Sequence, residues 1–399
     1  MKLISDPPET CLAAVITRRD QAIQAAHSLA EQAKPGAIER DQQRLYPRDL
    51  LDRFTRLGLG SISVPRHFGG GGLDFQTVAE VFRIISASDP SLGQIPQNHY
   101  YALEVLRVNG SESQKQRLYR EVLTGVHLGN ALAEFSSRAA HQRTTQIRCN
   151  ILNGSKFYAT GALFADRIPT AARDEEDKEQ LVFVPRHQAG VTVIDDWSGF
   201  GQRTTGSGSV LFENVTVDAA DVVPFQTAFE RPTTVGPFAQ IMHAAIDQGI
   251  ARAAFNDMLD FLRQRARPWP DSGVTRATDD PLTLDRTGRL AARLSAGDAL
   301  LAEAGAAIDA AQQQSDAATV ALASVEVARA RAWTTEVSLE AANLLFELGG
   351  SRASLREYNL DRHWRNARTH TLHDPVRWKY PAIGNYLLNG VLPPRRGTL

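Results

Sequence analysis

From residue 1 to about 125, apolar residues recur at helical spacing. Leu50, Leu51, Phe54 and Leu57 fall three to four apart, and Gly58 and Gly60 end that run. Asp74 is placed to cap a helix carrying Val78, Val81, Phe82 and Ile85, which stops before Pro90. Leu92, Ile95, His99, Ala102 and Leu106 continue the period, and Ser111 with Gln114 has the spacing of a capping box ahead of Leu118 and Val122. Around Val126 the period shortens to two. Ile147, Cys149 and Ile151 alternate, and Asn153-Gly154 reads as a hairpin turn, because both turn residues need positive φ. Leu181 to Val184, Val191 to Ile194 and Val210 to Val217 read as strands, with a solvated acidic loop over 171–180. From about 235 the helical period returns. Leu290, Leu294, Gly297, Leu301, Ala304 and Ile308 form one stripe; Val320, Ala323, Val327, Ala330, Val337, Ala341, Leu344 and Leu348 form another. Such alanine-rich stripes predict closely packed bundle helices, and Pro268 to Gly273 separates two of them. The pattern predicts a mainly α protein with a central β domain, divided 1–125, 126–232 and 233–399.

Composition narrows the function. The 399 residues suit several domains, and 44 basic against 45 acidic side chains leave a formal charge of -1. That balance argues against nucleic acid as a partner. Two cysteines, Cys11 and Cys149, are too few for a disulfide scaffold or a Cys-based zinc site, which points to a reducing, cytoplasmic setting. No apolar leader and no membrane-spanning apolar run is evident in the sequence, so no membrane association is expected.

Candidate chemistry concentrates late in the chain. Gly69 to Gly72, and the glycines at 199, 201, 206 and 208, lack the G-x-G-x-x-G or P-loop pattern, so no nicotinamide dinucleotide site is expected. Between Arg352 and Lys379, seven basic residues face three acids, a local +4, with His363, His370 and His373 among them. His370 and His373 share a face if helical. No H-E-x-x-H is present, so no metal is expected. The segment reads either as a basic, solvated helix end or as an anion-binding and acid–base cluster. His99 sits on an apolar face, as a satisfied core histidine or a functional one. Tyr158 and Thr160 share a strand face, and Trp197 suits core filling as well as stacking.

The order of helices, β domain and helical bundle resembles the acyl-CoA dehydrogenase fold, with its N-terminal helical domain, β-barrel or sandwich and C-terminal four-helix bundle. Asn153-Gly154-Ser155-Lys156-Phe157-Tyr158-Ala159-Thr160-Gly161 resembles that superfamily's flavin-contacting strand. Its C-terminal glycine and arginine motifs are matched by Phe346 to Gly350 and by Arg365-Asn366-Ala367-Arg368. Five motifs are similar to one branch, the flavin-dependent dibenzothiophene monooxygenases and related sulfur-acquisition oxidoreductases. They are Ser91-Leu92-Gly93 leading to His99, Gly129-Asn130-Ala131, Asp195-Asp196-Trp197, Ala266-Arg267-Pro268-Trp269, and Trp364 through Pro375.

The resemblance implies that Asn130, Tyr158, Thr160 and Trp197 line the flavin, and that Arg267 and Arg352 hold its phosphate, one from a neighbouring subunit. It sets His99, Thr160 and His373 around the reactive face as catalytic residues, with His370 and Asp374 behind them on the cofactor side. Ile241, Met242 and Ala245 are implied as substrate-pocket wall. It further implies reduced FMN rather than FAD, delivered by a separate NAD(P)H-dependent flavin reductase, and a C4a-hydroperoxide formed with O2 that oxygenates a small organosulfur compound. A cytoplasmic homotetramer follows from the same likeness. The alternative is an acyl-CoA dehydrogenase-like FAD oxidoreductase; a non-catalytic helical binding module is a third reading. Two departures bear on these readings. The dehydrogenase Thr-Glu-Pro signature is replaced by Ala133-Glu134-Phe135-Ser136, and the catalytic glutamate position falls at Asp374, one methylene shorter. Within the monooxygenase branch, a serine is Thr160 here and a turn aspartate is Gly206.

Overall fold

The computed structural model describes residues 13–134 and 144–399. Cys11, Phe135 and Ser136 lie outside those residues. Among the described residues, seven helices come first: α1 (Arg19–Ala33), α2 (Ala37–Gln43), α3 (Arg48–Arg56), α4 (Phe75–Ser86), α5 (Pro90–Gln94), α6 (Gln97–Asn109) and α7 (Glu112–Leu123). A sheet follows, made of β1 (Gln146–Arg148), β2 (Ile151–Lys156), β3 (Arg167–Arg173), β4 (Glu179–Pro185), β5 (Val191–Ile194), β6 (Ser209–Thr216) and β7 (Val222–Pro224). The chain ends in α8 (Thr227–Glu230), α9 (Val235–Gln264), α10 (Pro281–Gln313), α11 (Ala317–Gly349), α12 (Asp361–His370) and α13 (Lys379–Asn389).

The local signals act as their chemistry dictates. Asp74 caps α4 by accepting from the Thr77 amide, and Ser111 with Gln114 closes a full capping box on α7. Pro90 and Pro96 split the expected helix around Leu92 into α5 and α6. The stripe on α10 is buried throughout, as is that on α11 up to Leu344, with Leu348 half-buried. Gly249 lets α9 approach α4 closely: a Cβ there would lie 2.6 Å from Ser86 Cβ. Helix α9 packs against α11, α10, α4, α6 and α12 at once, and one apolar cluster joins Phe54 and Tyr100, Leu181 and Phe183, and Phe238 and Val327. No helix of the described residues is long and apolar enough to cross a membrane.

The sheet corrects two expectations. Its order is β5-β6-β2-β1-β3-β4-β7. The hairpin between β1 and β2 turns at Cys149 and Asn150, with φ of 50° and 59°, not at Asn153-Gly154. Gly154 lies inside β2 at a bulge against β6, where a Cβ would fall 2.4 Å from Thr145 Oγ1. The glycine therefore marks a close approach and not a turn. The acidic loop is also shorter than 171–180. Ala171 and Ala172 are buried in β3, which pairs with β4 in antiparallel register.

Candidate active site

The β side of the site is a connected wall. Asn130 Nδ2 donates to the Tyr158 carbonyl at 3.1 Å, and its Oδ1 accepts from the Leu132 amide. The Tyr158 ring meets Trp197 edge-on at 6.2 Å. Trp197 Nε1 donates to the Gln202 carbonyl at 2.9 Å, and Thr205 Oγ1 donates to the same oxygen at 3.0 Å. Ser207 Oγ lies 2.7 Å from both Thr205 Oγ1 and Thr160 Oγ1. A chain of hydroxyls thus runs from Gln202 to Thr160. Four of the expected cofactor residues, Asn130, Tyr158, Thr160 and Trp197, are brought together by it.

Helix α12 fastens this wall. Asn366 Oδ1 accepts from the Gln202 amide at 2.7 Å, and Arg365 Nη1 donates to the Phe200 carbonyl at 3.1 Å. Gly201 is required here, since a Cβ would sit 2.0 Å from the Arg365 carbonyl oxygen. The same helix ends at His370, where a second cluster begins.

His370 is buried, with Nδ1 2.5 Å from Asp247 Oδ1 and Nε2 3.1 Å from His243 Nδ1. Asp247 is fully buried; it is paired to Arg331 and accepts from Thr335 Oγ1 at 3.1 Å. Burial opposes ionisation of Asp247, but Arg331 and His370 outweigh it and hold the carboxyl below its ordinary value. The His243 ring stacks on His373 with centroids 3.9 Å apart and planes at 36°. His373 Nδ1 is 3.2 Å from Asp374 Oδ2, and its side chain is 46% exposed. Asp374 is buried. Its burial is offset by His373, Arg331 and Lys379, which hold the carboxyl well below the usual carboxylate range. Lys379 is buried too and pushed down to about 8, bonding Gln240 Oε1 at 3.0 Å and the Thr398 carbonyl at 3.1 Å.

His99 falls elsewhere. It lies buried with Nε2 2.7 Å from the Gly60 carbonyl, while Nδ1 accepts from the Leu128 amide at 3.1 Å. Both nitrogens meet backbone groups, and the ring packs in the core. Burial, helped by His127, pushes His99 down to about 3, and burial pushes His127 down to about 4. Both folded values lie below the unfolded value of about 6.5, so the unfolded chain binds these protons more tightly. Stability is intact above that pH and falls beneath it, by roughly 1.4 kcal/mol per pH unit for each ring down to its folded value. We expect urea midpoints at pH 5 to lie well below those at pH 7. Replacing His99 by glutamine should flatten that slope, and an unchanged slope would refute the neutral, backbone-tied state.

Other expected residues are dispersed. Ile241, Met242 and Ala245 have no exposed surface and pack in the main core; the turns of α9 that reach the histidine cluster carry His243 and Asp247 instead. Arg267 and Arg352 are exposed at the same end of the bundle, where Gly349 packs on Phe261 and Ala353. Among the described residues, no hydrogen bond or ring contact ties either arginine to the wall within one chain. Half of the +4 of 352–379 is compensated from outside it: Arg362 pairs with Asp257 at 2.5 Å and Arg365 with Asp41 at 2.5 Å. Glu134, in the departed signature, is pushed down to about 2: burial opposes the shift, but Lys156 at 2.7 Å and the Thr144 amide outweigh it. It ties strand β2 to the segment on either side of 135–143. No group of metal-ligating side chains in metal geometry occurs among the described residues.

Sequence reasoning passed over His243, Asp247 and Arg331. The available signal was a charged or polar residue inside an apolar helical stripe, with His243 and Asp247 four apart on one face. Several buried polar atoms along the loop and α12 have no protein partner: both ends of the Gln202 amide, Arg368 Nε and Thr369 Oγ1. Buried groups of this kind call for a partner, such as water or a polar ligand.

Comparison with known proteins identifies the family. Residues 18–126 match the acyl-CoA dehydrogenase N-terminal domain, and residues 241–378 the acyl-CoA dehydrogenase C-terminal domain. A dibenzothiophene monooxygenase of Rhodococcus erythropolis is 33% identical over 92% of this chain and 93% of its own. A probable FMNH2-dependent monooxygenase of Pseudomonas putida, SfnC, is 30% identical over 93% and 96%. The dibenzothiophene monooxygenase TdsC of Paenibacillus sp. A11-2, solved with FMN bound, superposes with a TM-score of 0.90 at 29% identity, covering 95% of this chain and all of that one. The chain belongs to the dibenzothiophene monooxygenase family of flavin-dependent monooxygenases, built on the acyl-CoA dehydrogenase fold.

Proposed function

We propose that this enzyme is the oxygenase of a two-component system, using reduced FMN and O2 to oxygenate a small organosulfur compound for sulfur acquisition. The observation that carries the reading is the seam itself. The wall of Asn130, Tyr158, Thr160 and Trp197 is fastened through α12 to the cluster ending in His373, and unpartnered polar atoms line the join. Those atoms fit a planar ring rich in nitrogen and oxygen, such as the isoalloxazine of FMN. The absent dinucleotide fingerprint supports a separate NAD(P)H-dependent reductase as the source of reduced FMN.

When bound, reduced FMN supplies the two electrons that activate dioxygen, so that one oxygen atom goes to sulfur and the other leaves as water. The protein's part is to position and to manage protons. Tyr158 and Trp197 offer aromatic surface, and Thr160 offers a hydroxyl oriented by Ser207 and Thr205. His373, held through Nδ1 by Asp374, gives or takes a proton at Nε2. Arg267 and Arg352 bind the terminal phosphate, one of them from the neighbouring subunit of a homotetramer. The bundle keeps bulk water from the seam. The alternative, abstraction of an acyl-CoA α-proton, is disfavoured because Asp374 is held so far toward its ionised form that it is a weak base.

Arg267→Ala and Arg352→Ala are each expected to weaken FMN binding about tenfold, the loss of one charge-assisted phosphate contact. Fluorescence titration at low salt measures it, and unchanged affinity in both variants removes the phosphate role. The reaction class is tested with 18O2, a reductase, NADH, FMN and a panel of sulfides, sulfones and sulfinates. One 18O in the product, formed only with the reductase present, is expected. Anaerobic bleaching of bound flavin by an acyl-CoA, with no labelled product from any sulfur compound, would replace this reading by the dehydrogenase one.

A further inference from the structure

We infer that His243 is a positioning residue for His373, held in a single neutral tautomer by Asp247 and His370 so that its ring face supports His373. Asp247 is ionised against Arg331, so the nitrogen of His370 facing it, Nδ1, carries a proton and donates. His370 is buried between Arg331 and His373, which keeps it neutral despite Asp247, so its Nε2 is a lone pair. The bond from Nε2 to His243 at 3.1 Å therefore takes its hydrogen from His243 Nδ1. That leaves His243 Nε2 unprotonated.

The charged groups around His243 come from every neighbouring element: Asp247 on its own α9, Arg331 on α11, His370 on α12, His373 and Asp374 beyond α12, and Lys379 on α13. Burial and the positive members of that set all oppose a charge on His243. A neutral imidazole face against His373 at 3.9 Å accepts a cation on the other ring, whereas a charged one repels it. His373 thus has Asp374 Oδ2 3.2 Å from its Nδ1 and His243 against one ring face, with its side chain half exposed. The relevance of this support to turnover rests on the proposed role of His373; the support itself does not.

The test is nitrogen-15 NMR of the imidazoles in the FMN-loaded enzyme, with oxygenation measured in parallel. In the unmodified protein, His243 should show the Nδ1–H tautomer from pH 6 to 8. The Nε2–H tautomer overturns the inference without any variant. In His243→Ala, the proton affinity of His373 should fall about threefold, the worth of one partly exposed cation–aromatic contact. His243→Phe restores the face and should bring the midpoint back toward the original. An unmoved His373 midpoint in a folded, FMN-binding His243→Ala protein overturns the inference. A fall in turnover with an unmoved midpoint also overturns it, because that is what lost packing alone does. A moved midpoint with an unmoved pH–rate profile supports the positioning and instead removes His373 from the chemistry.

Discussion

Arg331→Ala is expected to lower stability by about 3–5 kcal/mol, because it breaks a buried ion pair from one side only. Arg331 is 1% exposed and Asp247 is fully buried. Removing the guanidinium leaves a carboxylate without water and without its countercharge. The carboxylate must then either stay ionised at that cost or take up a proton. In the second case it releases the constraint on His370 Nδ1, and the tautomers of His370 and His243 are no longer fixed. Two things should therefore change together in Arg331→Ala: the urea midpoint falls, and the His243 tautomer becomes mixed. Replacing both partners, Arg331→Met with Asp247→Leu, should recover much of the stability, since apolar groups of similar size often substitute for a buried pair with little loss. It should not recover the tautomer. If the single variant unfolds at the original midpoint, the pair is not a buried, desolvated one. The ionised Asp247 also sets an acid limit. Its folded value lies below the unfolded one, so its contribution is present at neutral pH and disappears once pH drops below the ordinary carboxylate range.

The bundle was the most legible part of the sequence. The stripes lie on α10 and α11, helices of 33 residues each, long enough for periodicity to dominate any local exception. Caps were legible for the same reason, because Asp74 and Ser111 act on amides two or three residues away. The β region was harder. Asn-Gly has a strong local preference for a turn, yet pairing with β6 carried the chain straight through Asn153-Gly154 and set the turn at Cys149 and Asn150. Tertiary pairing outweighed a local turn preference.

The site divided along the same line. The shared strand face expected of Tyr158 and Thr160 does not form: β2 ends at Lys156, Tyr158 turns with φ of 57° and is exposed, and Thr160 is buried. His99 was legible only as an ambiguity: an apolar helical face predicts burial, and nothing in the sequence says that Gly60 and Leu128 take both nitrogens. The relay was not legible at all. Arg331 and Asp247 are 84 positions apart, and Asp247 and His370 are 123 apart. What the sequence did carry was the incongruity of charges within apolar helices. An Asp and an Arg that each sit on a buried stripe must find one another or a ligand, since neither survives alone. The charge total of the basic segment misled for a similar reason. Arg362 and Arg365 belong to the count of 352–379, but their partners Asp257 and Asp41 do not.

His373→Ala is expected to reduce oxygenated product by at least about 100-fold while leaving FMN uptake unchanged. The side chain is 46% exposed, so its removal leaves no closed cavity and costs little in packing. The effect on turnover comes from the loss of a proton donor and acceptor fixed in place by Asp374 and backed by His243. His373→Gln separates those functions, since it can still donate a hydrogen bond but cannot exchange a proton near neutral pH. If proton transfer is what His373 supplies, the glutamine variant is as slow as the alanine one. If a hydrogen bond suffices, it recovers. Asp374→Asn is a third, weaker probe. It keeps a polar group beside Nδ1 but removes the buried charge, so product should fall less than in His373→Ala. Undiminished product from His373→Ala, at matched FMN occupancy, would remove the histidine from the reaction. The hydroxyl chain ending at Thr160 would then be the nearest remaining source of hydrogen bonds at that seam.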